Sequence, residues 1–323
     1  MKLASMKSSS RDGELLVVSR DLKRAVSAKT IAPNLRTAVE TWSQCKTDLE
    51  LISKRLNSSQ MEASFELNMS SLMSALPRAF QFADGSAFLE HVRLVRRARG
   101  AELPEKLLTV PLMYQGVGDR FLDPTEDIPF QDPTFGLDFE SEICVITSDI
   151  ARGSDAKKCE ESILLFVLMN DISLRGLIPE ELSHGFGFFQ SKPPSALSPI
   201  AVTPDELDGH WRDGKVHLPL LTDYNGDFFG NPDAGSMHFR FGDLLAHAAR
   251  TRDLQAGVVL GSGTVSNEDR SRGSSCLAEK RMIEQIESGK PVTPFMKSGD
   301  TVEIKMLLPN GENIFGTIRQ KVR

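Results

Sequence analysis

The sequence predicts an α+β protein, with a small N-terminal α/β domain over residues 1–78 and a larger β-rich domain over residues 79–323. Three observations predict it. A hairpin pattern and one helical pattern fill the first part of the chain. From about residue 76, short apolar runs alternate with dense glycine and proline punctuation. Only two further helical patterns interrupt those runs, so a doubly wound parallel sheet is not indicated.

The N-terminal elements come first. Polar Ser8-Ser9-Ser10-Arg11-Asp12-Gly13 separates a short opening strand from Leu15-Leu16-Val17-Val18, the pattern of a hairpin over residues 1–20. Leu35, Val39, Trp42, Leu49, Leu51 and Ile52 recur near helical spacing, which predicts a helix over 35–56. Further along, Ile143–Ile146, Ile200–Val202, Val216–Leu221, Val258–Leu260 and Val302–Met306 read as strands. One helix is expected near 156–170, with Ile163, Leu164, Val167 and Leu168 sharing a face, and another near 241–252 around Leu244, Leu245 and Ala248.

Composition excludes several function classes. The formal charge is −6 and no basic tail is present, so nucleic acid is not the expected partner. Arg93, Arg96, Arg97 and Arg99 form the densest basic run, which reads as a solvated helix face. Cys45, Cys144, Cys159 and Cys276 have no CxxC spacing, so neither a disulfide framework nor a zinc site is expected. No apolar run reaches the ~18 residues of a membrane span, and Met1-Lys2-Leu3-Ala4-Ser5 lacks a secretory apolar region, which makes the cytoplasm the default location. Gly257 to Gly263 has neither the GxGxxG order nor a Walker lysine, so it is not read as a phosphate loop.

The chemistry lies in acidic residues. Asp138, Glu140 and Glu142 alternate along a segment that runs into apolar Ile143-Cys144-Val145-Ile146. On a strand, alternate residues share a face, so the three carboxylates are expected to point one way. Crowded, partly buried carboxylates either take up protons or attract a cation, and their oxygens suit hard divalent ions. Asp171 adds another carboxylate at the end of the apolar run Leu164–Met169, with Arg175 close behind it.

The order of these motifs resembles the fumarylacetoacetate hydrolase family. Asp138-Phe139-Glu140-Ser141-Glu142, Asn170-Asp171-Ile172-Ser173-Leu174-Arg175, and Gln190-Ser191-Lys192 leading to Ser198–Leu207 carry it. Gly261-Ser262-Gly263-Thr264-Val265-Ser266 and Gly299-Asp300-Thr301-Val302-Glu303-Ile304 continue it, so it covers roughly residues 80–320. The resemblance implies a mixed β-roll around one metal site, usually in a homodimer. It implies Glu140, Glu142 and Asp171 as metal ligands, Asp84 as a fourth ligand of the fumarylacetoacetate-cleaving branch, and Asp138 behind them. The ion would be Mg²⁺, Ca²⁺ or Mn²⁺. It further implies His91 as the group that activates water, Glu279 as its orienter, and Lys192 and Arg175 as the cations beside a leaving enolate. Tyr114 and Thr264 would contact substrate.

The implied activity is hydrolysis of a carbon–carbon bond in a β-diketo acid, fumarylacetoacetate or an acylpyruvate, in aromatic catabolism. A hydratase, isomerase or decarboxylase of a related 2-oxo acid is the alternative, and a non-catalytic metal-binding homologue is the third. The chain departs from the family pattern on the substrate side. Ile178 stands where the hydrolase branch has glutamine, Ile172 where tryptophan is common, and Gln115-Gly116-Val117 where His-Gly-Arg is usual.

Overall fold

A computed structural model of the chain describes residues 1–97, 104–130 and 132–323. Arg99, at the end of the basic run, lies outside them, and Arg93 pairs with Glu268 at 3.2 Å. One large sheet organises the fold. Its main path runs Phe65–Glu66, Arg24–Ser27, Glu14–Val18, Lys2–Met6, Ile200–Val202, Ile163–Asn170, Ser141–Thr147, Val259–Gly261, Phe82–Gly85 and Met113–Gly116. Ala196–Leu197 also pairs with Ile163–Asn170, off that path. The sheet is mixed: Val259–Gly261 runs parallel to Phe82–Gly85, and the other pairings described are antiparallel.

The N-terminal strands are continuous with this sheet. Lys2–Met6 and Glu14–Val18 form the expected hairpin, and Lys2–Met6 then pairs with Ile200–Val202 in the register Lys2 opposite Val202. The helical pattern over 35–56 folds as two helices, Leu35–Glu40 and Trp42–Asn57, with the break at Thr41. Asn34 caps the first by accepting from the Thr37 amide at 2.9 Å, satisfying a donor that helix geometry leaves free.

The expectation of a helix over 156–170 is corrected. Only Ala156–Glu161 is helical, and Ile163–Asn170 is a central strand. The reason is burial on both faces. Phe166 and Leu168 belong to one apolar cluster, while Leu165, Val167 and Met169 belong to the other, on the opposite side of the sheet. A strand covered on both sides has no polar alternation and reads as a continuous apolar run. The second helix is Phe241–Ala248, within the expected 241–252.

A second, four-stranded sheet, ordered Asp227–Gly230, Leu220–Tyr224, Thr301–Met306 and Ile318–Lys321, packs into the first cluster. The two helices at 35–57 contribute Leu35, Val39 and Leu49 to the other. All four cysteines are buried and free. Among the described residues no helix is long and apolar enough to cross a membrane.

Candidate metal centre

The end of the large sheet brings three carboxylates together. Asp84 comes from Phe82–Gly85, Glu142 from Ser141–Thr147, and Asp171 follows directly on Ile163–Asn170. One oxygen from each lies within 4.8 Å of the others, and all three residues are buried. Their strands are neighbours through Val259–Gly261, so the sheet's own register creates the cluster.

The three differ in how their oxygens are satisfied. Asp171 accepts from the Tyr114 hydroxyl at 2.6 Å, from the Ser195 hydroxyl at 2.6 Å and from Lys192 Nζ at 2.5 Å. Asp84 accepts from the Gly263 amide at 2.9 Å. Among the described residues, both carboxylate oxygens of Glu142 are buried without a hydrogen-bond partner. Burial, with Asp171 beside it, pushes Asp84 up to about 7. Burial, with Asp84 and Asp171 beside it, pushes Glu142 well above the usual carboxylate range. An unpartnered buried carboxylate is costly unless a cation meets it. An all-oxygen donor set with one orphaned carboxylate fits a hard divalent ion.

Glu140 stands apart from this cluster. It is held by Lys192 Nζ at 2.9 Å and by the Arg175 guanidinium. Burial would raise its pKa, but Arg175 and Lys192 outweigh that and hold it below the usual range. Asp138, Glu140 and Glu142 do not form one ligand row, because the strand is interrupted at Phe139 and Glu140. Asp138 instead accepts from the Leu277 and Ala278 amides at 2.8 and 2.9 Å and from Arg175 Nε at 2.9 Å. It pins both the Leu277–Ser288 helix and Arg175, and its negative charge suits that helix N-terminus.

That helix carries Glu279 in its first turn, and Glu279 Oε2 lies 3.0 Å from His91 Nδ1. Glu279 is buried, and its Oε1 has no partner among the described residues. His91, in the helix Leu89–Arg97, lines a cavity of about 130 Å³ together with Asp84, Glu140, Arg175, Lys192, Tyr114 and Thr264. Nine of the ten residues proposed from sequence therefore meet: seven line this cavity, Asp171 joins Tyr114 and Lys192, and Glu279 backs His91. The tenth, Glu142, meets Asp84 and Asp171 beneath it. Lys192 also lies over the Tyr114 ring, 5.0 Å from its centroid.

Sequence reasoning missed Ser195, Phe88 and Phe188, for which no motif gives a signal. It also gives no structural role to Gly261 and Gly263, which enter there as a rejected phosphate loop and as part of the family motif.

Comparisons with known proteins identify relatives of the chain. Residues 81–323 match the model of the fumarylacetoacetate (FAA) hydrolase C-terminal domain, and residues 1–78 match fumarylacetoacetase N-terminal domain 2. The chain is 26% identical over 230 residues to the fumarylacetoacetase of Caenorhabditis elegans, a match covering 62% of this chain and 55% of that protein, so it spans about half that relative's length. Among solved structures, a fumarylacetoacetate hydrolase from Exiguobacterium antarcticum is similar with a TM-score of 0.69 at 16% identity, covering 100% of this chain and 99% of that one. A 5-carboxymethyl-2-hydroxymuconate delta-isomerase from Mycobacterium smegmatis is similar with a TM-score of 0.61 at 18% identity, covering 100% and 98%. At these identities the structures speak to the fold, which hosts more than one reaction.

Proposed function

This chain belongs to the fumarylacetoacetate hydrolase family, and from that premise we propose that it hydrolyses a carbon–carbon bond in a β-diketo acid, fumarylacetoacetate or an acylpyruvate, with a divalent metal. The observation that carries the reading is the pairing of two features at one cavity. The carboxylate cluster with its orphaned Glu142 lies beneath it, and His91, backed by Glu279, lies in its wall. Asp84, Glu142 and Asp171 would hold the ion, with Glu140 as the fourth carboxylate. The ion, Mg²⁺, Ca²⁺ or Mn²⁺, would supply Lewis-acid stabilisation of the charge that develops on the diketo oxygens.

This chain's own residues do the rest. His91 takes a proton from water as the water oxygen adds to the acyl carbonyl carbon, and Glu279 stabilises the imidazolium so formed. The adjacent carbon–carbon bond then breaks, and its electron pair leaves as an enolate beside Lys192 and Arg175. The enolate is protonated to the ketone, and the acyl fragment departs as a carboxylic acid. Tyr114 and Thr264 contact the substrate. The assignment extends to residues 1–78 as an appended domain, residues 79–323 as the catalytic unit, a cytoplasmic homodimer, and a place in aromatic catabolism.

Incubation of the purified protein with fumarylacetoacetate and with acylpyruvates, with and without Mg²⁺, tests this. Metal-dependent loss of the diketone absorbance, abolished by chelation and by His91→Ala, is expected. Absence of such loss for every β-diketo acid overturns the hydrolase reading.

A further inference from the structure

We propose that the substrate's tail, the part beyond the reacting diketo unit, is uncharged and apolar, and that Phe88, Ile178 and Phe188 form its seat. This extends the hydrolase reading from the head group to the tail, rests on it for the head group alone, and favours an acylpyruvate over fumarylacetoacetate, whose fumaryl tail ends in a carboxylate.

The cavity lining is of two kinds, ionic Asp84, Glu140, Arg175 and Lys192 and apolar Phe88, Ile178 and Phe188. Phe88 is buried, and Phe188 meets the Tyr114 ring edge-on at 5.2 Å and 78°. Phe188 is held there by its own loop. The carboxylate of Glu181 accepts from the amides of Phe189, Gln190 and Ser191 at 3.1, 2.6 and 3.2 Å, which fixes the chain just after Phe188.

The charge balance points the same way. A second carboxylate on the tail would need a free cation. Among the described residues lining the cavity, the lysine and arginine present are Lys192 and Arg175. Both are already paired, Lys192 with Glu140 and Asp171, Arg175 with Asp138 and Glu140. Asp84 and Glu142 add two more carboxylates, so five acidic side chains face two cations, a negative excess that a bound divalent ion would reduce but not reverse. A tail carboxylate would lose its water against these groups and gain no partner. An alkyl or aryl tail would meet three apolar side chains and leave no polar group unpaired.

Two matched pairs test the proposal on the native Mg²⁺-loaded protein. The first is the non-reacting pair N-isopentyl oxamate and N-(carboxyethyl) oxamate, compared by calorimetric titration. The second is the corresponding pair of acylpyruvates, isopentyl and carboxyethyl, compared by kcat/KM. In each pair a carboxylate replaces an isopropyl end of similar shape. The neutral member is expected to be favoured at least about tenfold in both readouts. Equal or better binding of the charged oxamate, or no binding of either, overturns the proposal. Neutral preference in binding without turnover of either acylpyruvate supports the tail seat and refutes the hydrolase reading instead. Ile178→Arg is expected to narrow or reverse the preference, and an unchanged ratio in a folded variant counts against Ile178 as part of the seat.

Discussion

Gly261 lies directly opposite Asp84 across the parallel strand pair, and a Cβ on Gly261 would come within 2.4 Å of Asp84 Oδ1 and 2.9 Å of Glu142 Oε2. The carboxylate cluster is therefore shaped by an absent side chain as much as by those present. Gly261→Ala is expected to push Asp84 and Glu142 apart and to weaken divalent-metal binding by at least about tenfold, roughly 1.4 kcal/mol. Titration with Mn²⁺ followed by electron paramagnetic resonance measures it. Native-like affinity in the variant would show that the cluster does not hold the ion.

Glu142 separates stability from function. Its two buried oxygens have no partner among the described residues, and Asp84 and Asp171 repel its charge. Glu142→Gln removes that charge at nearly constant volume. In the absence of divalent ions the variant is expected to be as stable as the wild type or more stable, by roughly 1–3 kcal/mol. The stabilisation that added Mg²⁺ gives the wild type should vanish. Melting curves with and without Mg²⁺ report both halves, and a marked loss of metal-free stability would contradict the account of Glu142.

Glu279 orients His91 from behind the cavity lining. Glu279→Gln keeps the shape and removes the charge that stabilises a protonated His91. A fall in kcat of roughly a hundredfold or more, with KM little changed, is expected. Equal loss in binding of the non-reacting oxamates would instead assign Glu279 a purely architectural part.

Asp12 gives a pH-dependent test outside the site. Arg78 meets it with two hydrogen bonds, Nε at 2.8 Å and Nη2 at 2.7 Å, and Arg36 adds a third contact at 3.2 Å. The Arg78 hydrogen bonds hold the Asp12 carboxyl below its usual range against a partial burial that opposes them. A carboxyl whose pKa is depressed on folding adds stability above its unfolded pKa of about 3.9 and loses it as the pH falls through the folded value. Asp12→Asn should therefore cost about 1–2 kcal/mol at neutral pH, and the gap should close below about pH 4. Urea unfolding across that range measures it, and a gap constant with pH would mean that the pair contributes packing and not charge.

The fold was legible where side-chain pattern mapped onto one buried face, as in the opening hairpin and the helix at 241–248. It was not legible at Ile163–Asn170, because burial on both faces erases the period that distinguishes strand from helix. In the site, the motif order carried His91, Glu279, Lys192 and Tyr114 to residues that do meet in space. It did not show that Glu140 is held by Lys192 and Arg175 while Asp84 joins Glu142 and Asp171, since that depends on where two long cationic side chains reach. Ser195 was invisible for a related reason: a hydroxyl in a loop becomes a partner for Asp171 only once the loop has folded over it.

The pairing of Lys2–Met6 with Ile200–Val202 bears on the order in which the molecule can be made. Lys2–Met6 leaves the ribosome well before its neighbour, encoded some two hundred positions later, and until that neighbour arrives its hairpin exposes Leu3, Leu15 and Val17, side chains fully buried in the finished protein. Until then it is an open strand edge, the kind of surface that invites pairing with another chain. A fragment beginning after residue 78 would carry the converse defect, leaving the Ile200–Val202 edge without Lys2–Met6. The hairpin of residues 2–18 thus acts as a late-closing cover for the sheet, and slow or interrupted synthesis leaves the chain open to misassembly.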